Sequence, residues 1–535
     1  MAKNDLTDLS TETALAAVAA TLGARGVAGW SAPEEALVAE APPVAPDLLH
    51  RIRAAIQGGE DPLGEAFCRL RNPAVRRPLG ATYTPCAIVS SMVDWAAGQG
   101  SPVRVVDPGA GSGRFLLKAA HRFPAAELLG IEIDPLAALL VRANLAVAGA
   151  AERARVLLAD YRSTVLPRAD GPTLYIGNPP YVRHHLIPHE WKQWLTREAS
   201  RRGYRCSQLA GLHAYFFLTT ALQASDGDYG TFITAAEWLD VNYGRLVRDL
   251  FLDRLGGTGV LLIEPAASPF PDAAATAAIT TFRINARPSV IRLRRVEALD
   301  RLANPAEGRG VRRERLESEE RWSHLTRRAD ALPSDFVELG ELFRVHRGQV
   351  TGANRVWIAG PHSRGLPESV LFPSITKARE LLAAGLVLTD AEGLRRVIDL
   401  PPDLAVLAPA ERKAAERFLK LAKAAGADQS YIARNRKAWW SVGLKTPAPI
   451  LATYMARRPP AFVRNAANAR HINIAHGLYP REAWPEQILT AVVKFLSGNI
   501  SRAAGRTYAG GLTKFEPREM ERIPVPSPST LAEMA

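Results

Sequence analysis

The spacing of apolar positions along this chain changes near residue 100. Before it, apolar residues recur at helical intervals in "ETALAAVAATLGA" (12–24) and "APDLLHRIRAAIQ" (45–57), with the proline-rich "APPVAPD" between them. Residues 1–75 therefore read as a helical N-terminal extension, and no chemistry is visible in it. "LGATYTPCAIVSSMVDWAAGQG" (79–100) reads as a polar turn followed by a helix. From Val103 onward, short continuous apolar runs alternate with helical segments. "VRVVD" leads into a glycine loop and a helix, and "AELLGIEID" into a second helix. "ARVLLADY" and "TLYIGNPPY" follow, then "YGTFITAAEWL", "GTGVLLIEP" and "TAAITTFRIN". Strands alternating with helices predict a mostly parallel sheet covered on both faces, with ligands beyond the carboxyl ends of the strands.

The rhythm breaks over 296–335, where "NPAEGRGVRRERLESEERWSHLTRRADALP" is dense in charge and holds no strand-like run. It reads as a charged linker or a solvated helix between domains. Residues 336–526 then form a second region of mixed signals, with glycine turns in "HRGQVTGANRVWI" and a long Ala/Lys helix. At 535 residues the chain is long enough for two or more domains, and 47% hydrophobic with 23% charged residues describes a folded, soluble protein. The apolar runs are too short to span a membrane, and "MAKNDLTDLS" lacks the apolar core of a signal peptide, so a cytoplasmic protein without a membrane partner is expected. Cys68, Cys86 and Cys206 are too widely spaced for a zinc or iron–sulfur motif, and no metal site is expected.

Charge changes the picture more than composition does. The formal net charge is +13, and between Tyr431 and Arg481 nine Lys or Arg residues occur without one Asp or Glu. A polyanion would relieve their mutual repulsion, whereas a general arginine bias is the plainer source of the same count.

In "VVDPGAGSGRF", Asp107, Gly109, Ala110, Gly111 and Gly113 occupy a strand-to-helix turn. The loop lacks the Gly-Lys-Ser/Thr of a nucleotide-phosphate loop. A carboxylate at Asp107 would repel a pyrophosphate and suits a cationic ligand group. Glu132 at the next strand end can take ribose hydroxyls, and Asp160 beyond the third can accept from an exocyclic amine. That set fits an adenosyl cofactor without phosphates. With it, the sequence resembles the S-adenosylmethionine-dependent methyltransferases. The resemblance implies S-adenosyl-L-methionine as cofactor, its amino-acid end on Asp107 to Gly113, and Tyr161 or Ile133 packed near its adenine ring. "GATYTP" (80–85) is similar to the segment that closes over the methionine moiety in that family, which brings in Thr82, Tyr83, Thr84 and Pro85. Its place before the glycine loop is the gamma order of the amino-methyltransferases. As a bare helix start, the same segment would use Thr84 as cap and Pro85 in the first turn.

"NPPY" closes the fourth apolar run. Asn178 offers a carbonyl acceptor, and Pro179 and Pro180 keep their carbonyls while fixing the chain path. A planar amine can donate one hydrogen to the Asn178 side chain and the other to a carbonyl near Pro179, with Tyr181 as a stacking face. Some 70 residues after a DPGAGSG loop, this corner resembles that of the N6-adenine, N4-cytosine and protein-glutamine methyltransferases. Cytosine C5 chemistry needs a thiol in the corner, and none of the three cysteines supplies one.

A base inside a duplex must be flipped out to reach such a corner, which predicts a second aromatic opposite Tyr181. Phe270, beside Pro271, resembles the stacking phenylalanine of the Taq-type gamma adenine methyltransferases, and "GLHAYFFLTTAL" (211–222) their substrate-side helix. The resemblance, over 76–526, implies an α/β Rossmann-like methyltransferase domain with a mostly parallel seven-stranded sheet at 76–295, and a C-terminal mixed α+β target-recognition domain at 336–526. Arg434, Arg436, Lys437, Arg457, Arg458, Arg464 and Arg470 are then candidates for phosphate contacts. Asn465, Asn468, Asn473, His471, Trp439 and Trp440 are candidates for base contacts or wedges, and Arg183, His184 and His185 for the near edge of the phosphate surface. Double-stranded DNA is the expected partner, bound by a monomer, with a separately encoded restriction endonuclease beside it or a defence or housekeeping role without one. N4-cytosine, RNA-base and protein-glutamine methylation share the corner and stay open, as does an inactive DNA-binding relative.

Overall fold

Four apolar runs, β1 (Arg104–Asp107), β2 (Glu127–Glu132), β3 (Ala154–Leu158) and β4 (Thr173–Gly177), lie side by side in the order β3-β2-β1-β4, all parallel. The computed structural model of the chain describes residues 9–72, 84–264, 267, 276–302, 307–326, 335–456, 458–500, 506–508 and 512–534. The chain divides into two units, Met1–Ala329 and Asp330–Ala535.

In the first unit every residue of β1 and β4 is buried, because helices cover both faces of the sheet there. β5 (Tyr229–Ala235), β6 (Gly257–Ile263) and β7 (Ala277–Arg283) extend the order to β5-β7-β6, with β5 parallel to β4 and β7 antiparallel to both neighbours. These seven strands form the mostly parallel sheet that the apolar runs predict, in the Rossmann-like form that the resemblance implies.

The sheet continues. β8 (Val290–Val296) pairs parallel with β6, and β9 (Arg309–Arg312) antiparallel with β8, giving nine strands among the described residues. Both alternate: Ile291, Leu293 and Val311 are buried, whereas Arg292 and Arg312 are exposed. The segment 296–335, expected as a strand-free linker, is thus partly built into this unit. Leu316, Trp322 and Leu325 sit in its core, and the Trp322 indole donates to the Leu316 carbonyl at 3.0 Å.

The N-terminal helices, Glu12–Thr21, Ala32–Val38, Pro46–Gln57 and Pro62–Leu70, pack on the helix Pro135–Val147. Arg142 on that helix is fully buried against Glu34 at 2.5 Å and also donates to the carbonyls of Val27, Ala28, Gly29 and Val156. Ala28 accepts from the Val156 amide at 3.0 Å, so this segment also covers the edge strand β3.

The second unit is built by itself around a five-stranded sheet. Its order is Phe343–Arg347, Ala475–Pro480, Ile450–Thr453, Phe462–Asn465, Val387–Leu388, antiparallel except for the last pair. The helix Glu486–Asn499 packs on it, and a separate cluster gathers Trp357, Phe418 and Val442.

Candidate active site

The strand order decides what meets at the site. Asp160 follows β3, Glu132 ends β2, Asp107 ends β1 and Asn178 follows β4, so adjacency in the sheet sets these four residues in a row. Glu132, Asp160 and Asn178 line one cavity, with Gly109, Ala110, Gly111, Ile133, Tyr161 and Pro180 also in its wall. Asp107 lies beneath that wall, fully buried.

The glycine loop fits its sequence position by position. Gly111 and Gly113 hold φ of 56° and 88°, the left-handed region open to glycine, and a Cβ on Gly113 would meet Val141 at 2.4 Å. Glu132 draws the loop in: one carboxylate oxygen accepts from the Gly111 amide at 2.7 Å, the other from the Ile133 and Asp134 amides at 2.8 and 3.0 Å. Burial raises the Glu132 carboxyl above its ordinary range, and these amides pull it back. Burial also pushes Asp107 up to about 8, with the Gly109 amide lowering it and Glu132 raising it. Asp107 Oδ1 accepts from Gly109 at 3.4 Å, while its Oδ2 is buried without a hydrogen-bond partner. A carboxylate oxygen so placed is matched to a cationic donor, and the apolar wall formed by Ile133, Leu186, Ile187 and Phe216 to a flat ring. The residues present thus fit an adenosyl cofactor with an ammonium end.

At the Asn-Pro-Pro-Tyr corner, Asn178 and Pro180 face the cavity, whereas Pro179 is buried and Tyr181 packs against the core cluster around Val89 and Ile176. Gly177, which the sequence reading passed over, is needed here: a Cβ on it would sit 2.5 Å from Asp107 Oδ1. Thr84 is not a helix cap. The following helix, Cys86–Gln99, starts with Pro85 in the cap position, and the Thr84 hydroxyl instead accepts from Asn178 Nδ2 at 3.1 Å. Thr82, Tyr83 and Phe270 lie outside the described residues.

At the far end, Asp160 is already engaged. Both its oxygens are held by Arg162, through Nε at 2.9 Å and Nη2 at 2.5 Å, and the guanidinium lies 3.9 Å over the Trp191 ring. The Arg162 backbone amide also donates to Asp160 Oδ1 at 2.9 Å, so three donors occupy a carboxylate that offers about four acceptor directions, and one further amine can share it. Tyr161 is buried, bonded to Thr220 at 2.9 Å and 5.3 Å from Phe216 between ring centres. Ile133 is 55% exposed in the cavity wall. Arg162 was not anticipated, although "DYR" sets it two residues from Asp160. Arg183 and His185 are exposed beyond the corner, as is Leu186, which lines the cavity.

In the second unit the basic residues divide. Arg434, Lys437 and Arg458 are exposed. Arg436 donates to the Val350 carbonyl and lines a cleft with Gln349, Asn435 and Lys437. Arg464 pairs with Glu486 at 2.6 Å, and Arg470 lies 3.7 Å over Phe372 and donates to the Leu444 carbonyl. Asn465 is buried and holds its own turn through Ala448 and Ala469, whereas Asn468 is exposed with φ of 53°. His471 is buried and Asn473 half-buried. Trp439 and Trp440 pack with Trp357 and Phe418 rather than project as wedges, and the Trp440 indole donates to Pro401 at 3.0 Å. Arg457 lies outside the described residues.

Known proteins match along the same lines. The model of the N-6 DNA methylase family matches residues 65–210, that of the Eco57I restriction-modification methylase 173–255, and that of the type II methyltransferase M.Eco57I C-terminal domain 320–535. The type II methyltransferase M.XamI of Xanthomonas campestris pv. amaranthicola is 54% identical over 467 residues, 87% of each chain. The type II methyltransferase M.AccI of Acinetobacter calcoaceticus is 21% identical over 84% of this chain and 85% of its own. The crystal structure of the type IIG restriction endonuclease BpuSI aligns with a TM-score of 0.49 at 15% identity, over 99% of this chain and 72% of that one.

Proposed function

The chain belongs to the type II restriction-modification methyltransferases, S-adenosylmethionine-dependent enzymes that act on DNA, and from that premise we propose that it methylates N6 of an adenine flipped out of the duplex. The observation that carries the reading is the row of Asp160, Glu132, Asp107 and Asn178 at four consecutive parallel strand ends. Catalysis is assigned to the first unit and target recognition to the second.

Bound along the cavity, S-adenosylmethionine supplies a methyl group activated on a cationic sulfur. Asp107 takes the ammonium end through its buried Oδ2, and Glu132 takes the ribose hydroxyls. Ile133 and Tyr161 flank the adenine ring, and Asp160 accepts from its amine. Asn178 and the carbonyl of Pro179 accept the two hydrogens of the target amine. That grip would aim the nitrogen lone pair at the methyl group and favour the positive charge that develops as the N–C bond forms and the S–C bond breaks, the sulfur leaving as a neutral thioether and the nitrogen then giving one proton to water. Tyr181, which packs beside the corner against the core, and Phe270 are the residues assigned to stack on the flipped base. The enzyme works as a monomer, and a separately encoded endonuclease cutting the same sequence is its counterpart.

The test is to incubate the protein with labelled cofactor and mixed-sequence duplex DNA, then digest to nucleosides. Label in N6-methyldeoxyadenosine is expected, and label only in N4-methyldeoxycytidine, RNA or protein overturns the reading. Asn178→Ala is expected to slow turnover by about 10²-fold or more while cofactor binding persists. Loss of cofactor binding in that variant would mean that Asn178 serves the cofactor rather than the target amine.

A further inference from the structure

We infer that Asp61, on the N-terminal helical segment, is a positioning residue for methyl transfer: acting through Arg114 and Thr84, it fixes the side-chain amide of Asn178. The inference rests on the assignment of Asn178 as acceptor for the target amine.

Asp61 is 5% exposed and caps the helix Pro62–Leu70 through the Gly64 amide at 2.9 Å. A cap needs one acceptor, yet this carboxylate takes three further donors. Ser112 of the glycine loop donates at 2.5 Å, Arg114 Nε at 2.8 Å and Asn144 Nδ2 at 3.0 Å. Arg114 then reaches across with Nη1 to the Thr84 carbonyl at 3.0 Å. Thr84, 3% exposed, presents its hydroxyl to Asn178 Nδ2 at 3.1 Å. A continuous path of carboxylate, guanidinium, peptide carbonyl, hydroxyl and amide therefore runs from the N-terminal segment to the catalytic corner.

The path has a chemical purpose. An asparagine amide has one accepting and one donating end, and only the accepting end can take a hydrogen from an amine. Anchoring Nδ2 on Thr84 turns the oxygen end away from Thr84. Thr84 precedes the helix Cys86–Gln99, so no helical hydrogen bond holds its carbonyl, and Arg114 supplies the restraint. The Asp61–Arg114 contact is charge-assisted, which makes it stiffer than a neutral bond. Because Asp61 also holds Ser112, the glycine loop and the Asn178 amide share one support. Gly64 completes the arrangement: a Cβ there would lie 2.0 Å from Asp61 Oδ2 and 2.5 Å from the Ser112 hydroxyl.

A double-mutant cycle tests the path. Single-turnover rates are measured with cofactor and DNA saturating for wild type, Asp61→Asn, Thr84→Val and the double variant. Each single change is expected to slow transfer about tenfold or more, and the double variant to be no slower than the slower single. A double variant whose loss is the product of the two overturns the inference. Thr84→Ser, which keeps the hydroxyl, is expected to stay within a few-fold of wild type, and a Ser variant as slow as Val also overturns it. If Asp61→Asn fails to fold, judged by its unfolding midpoint, Arg114→Gln takes its place in the cycle. The cycle is run on whichever DNA amine the wild type labels, so a wrong adenine assignment shows in the nucleoside digest and not here. Independently of turnover, a crystal structure of Asp61→Asn with Arg114 still on the Thr84 carbonyl and Asn178 still on its hydroxyl overturns the inference.

Discussion

Asp107 shows how one position binds chemistry to pH. Its carboxyl is fully buried at the end of β1 and is pushed up to about 8 by burial, against the pull of the Gly109 amide. Near neutral pH it therefore carries a proton that a cationic ligand group must displace. The sign follows: binding the ammonium of S-adenosylmethionine releases a proton, and affinity rises with pH until the carboxyl ionises by itself. Calorimetry at about pH 7 in buffers of different ionisation enthalpy should show release of close to one proton, and Kd should tighten between about pH 6 and 7.5 by up to tenfold per unit. Asp107→Asn should remove both effects, and a pH-independent Kd in the wild type would sink this account. Asp107 was legible in the sequence because an acid before a glycine loop at the end of an apolar run has few structural duties. Asp61 was not, because its four donors come from residues as far as 83 positions away and nothing local marks it beyond a helix cap. Arg162 lay between these cases: its nearness to Asp160 was visible, but the stacking on Trp191 that holds the pair was not.

At the scale of elements, continuous apolar runs bounded by glycine or acid marked β1, β2 and β4 because central parallel strands are buried on both faces. β9 escaped the same logic. It buries one face only, through Val311, and its arginines read as linker. Charge density also hid Leu316, Trp322 and Leu325, three separated residues that anchor the segment. The N-terminal helices were legible as helices but not as part of the catalytic unit. Beside the apolar packing on Pro135–Val147, the ion pair of Arg142 and Glu34, both fully buried, binds them. Removing one partner leaves a buried charge without its counter-ion. Glu34→Ala is therefore expected to lower stability by about 3 kcal/mol or more, read as a shift in the urea midpoint. The four carbonyls that also receive Arg142 hold the loss towards the lower end of that range. A shift below about 1 kcal/mol, the usual value of a surface pair, would mean that this ion pair adds little to the docking of the N-terminal helices.

For the molecule as a whole, net charge is a weaker guide than the side chains that remain exposed. The chain carries +13, and its acid-free stretch holds nine bases, but the structure engages several of them internally. Arg464 faces Glu486, Arg470 lies on Phe372 and Arg436 on the Val350 carbonyl, while Arg434 and Lys437 stay exposed, Lys437 in the wall of the cleft that Arg436 lines. If the second unit grips the phosphate backbone, the exposed pair contributes through counter-ion release and the engaged arginines do not. Each lost phosphate contact lowers the slope of log Kd against log salt by about 0.9, so the double variant Arg434→Ala/Lys437→Ala should lower it by about 1.8, equally for cognate and unrelated duplexes. Arg464→Ala and Arg470→Ala should leave the slope unchanged. Their costs should fall on the fold and be unequal. The Arg464 pair leans on a glutamate that is 79% exposed and is worth a few tenths of a kcal/mol at most, whereas the stacked Arg470 is worth about 1 kcal/mol. Fluorescence anisotropy across a salt series separates the two groups. A slope that falls as much for Arg464→Ala as for Lys437→Ala would show that Arg464 leaves Glu486 for a phosphate when DNA binds, and the division drawn between the two pairs would be wrong.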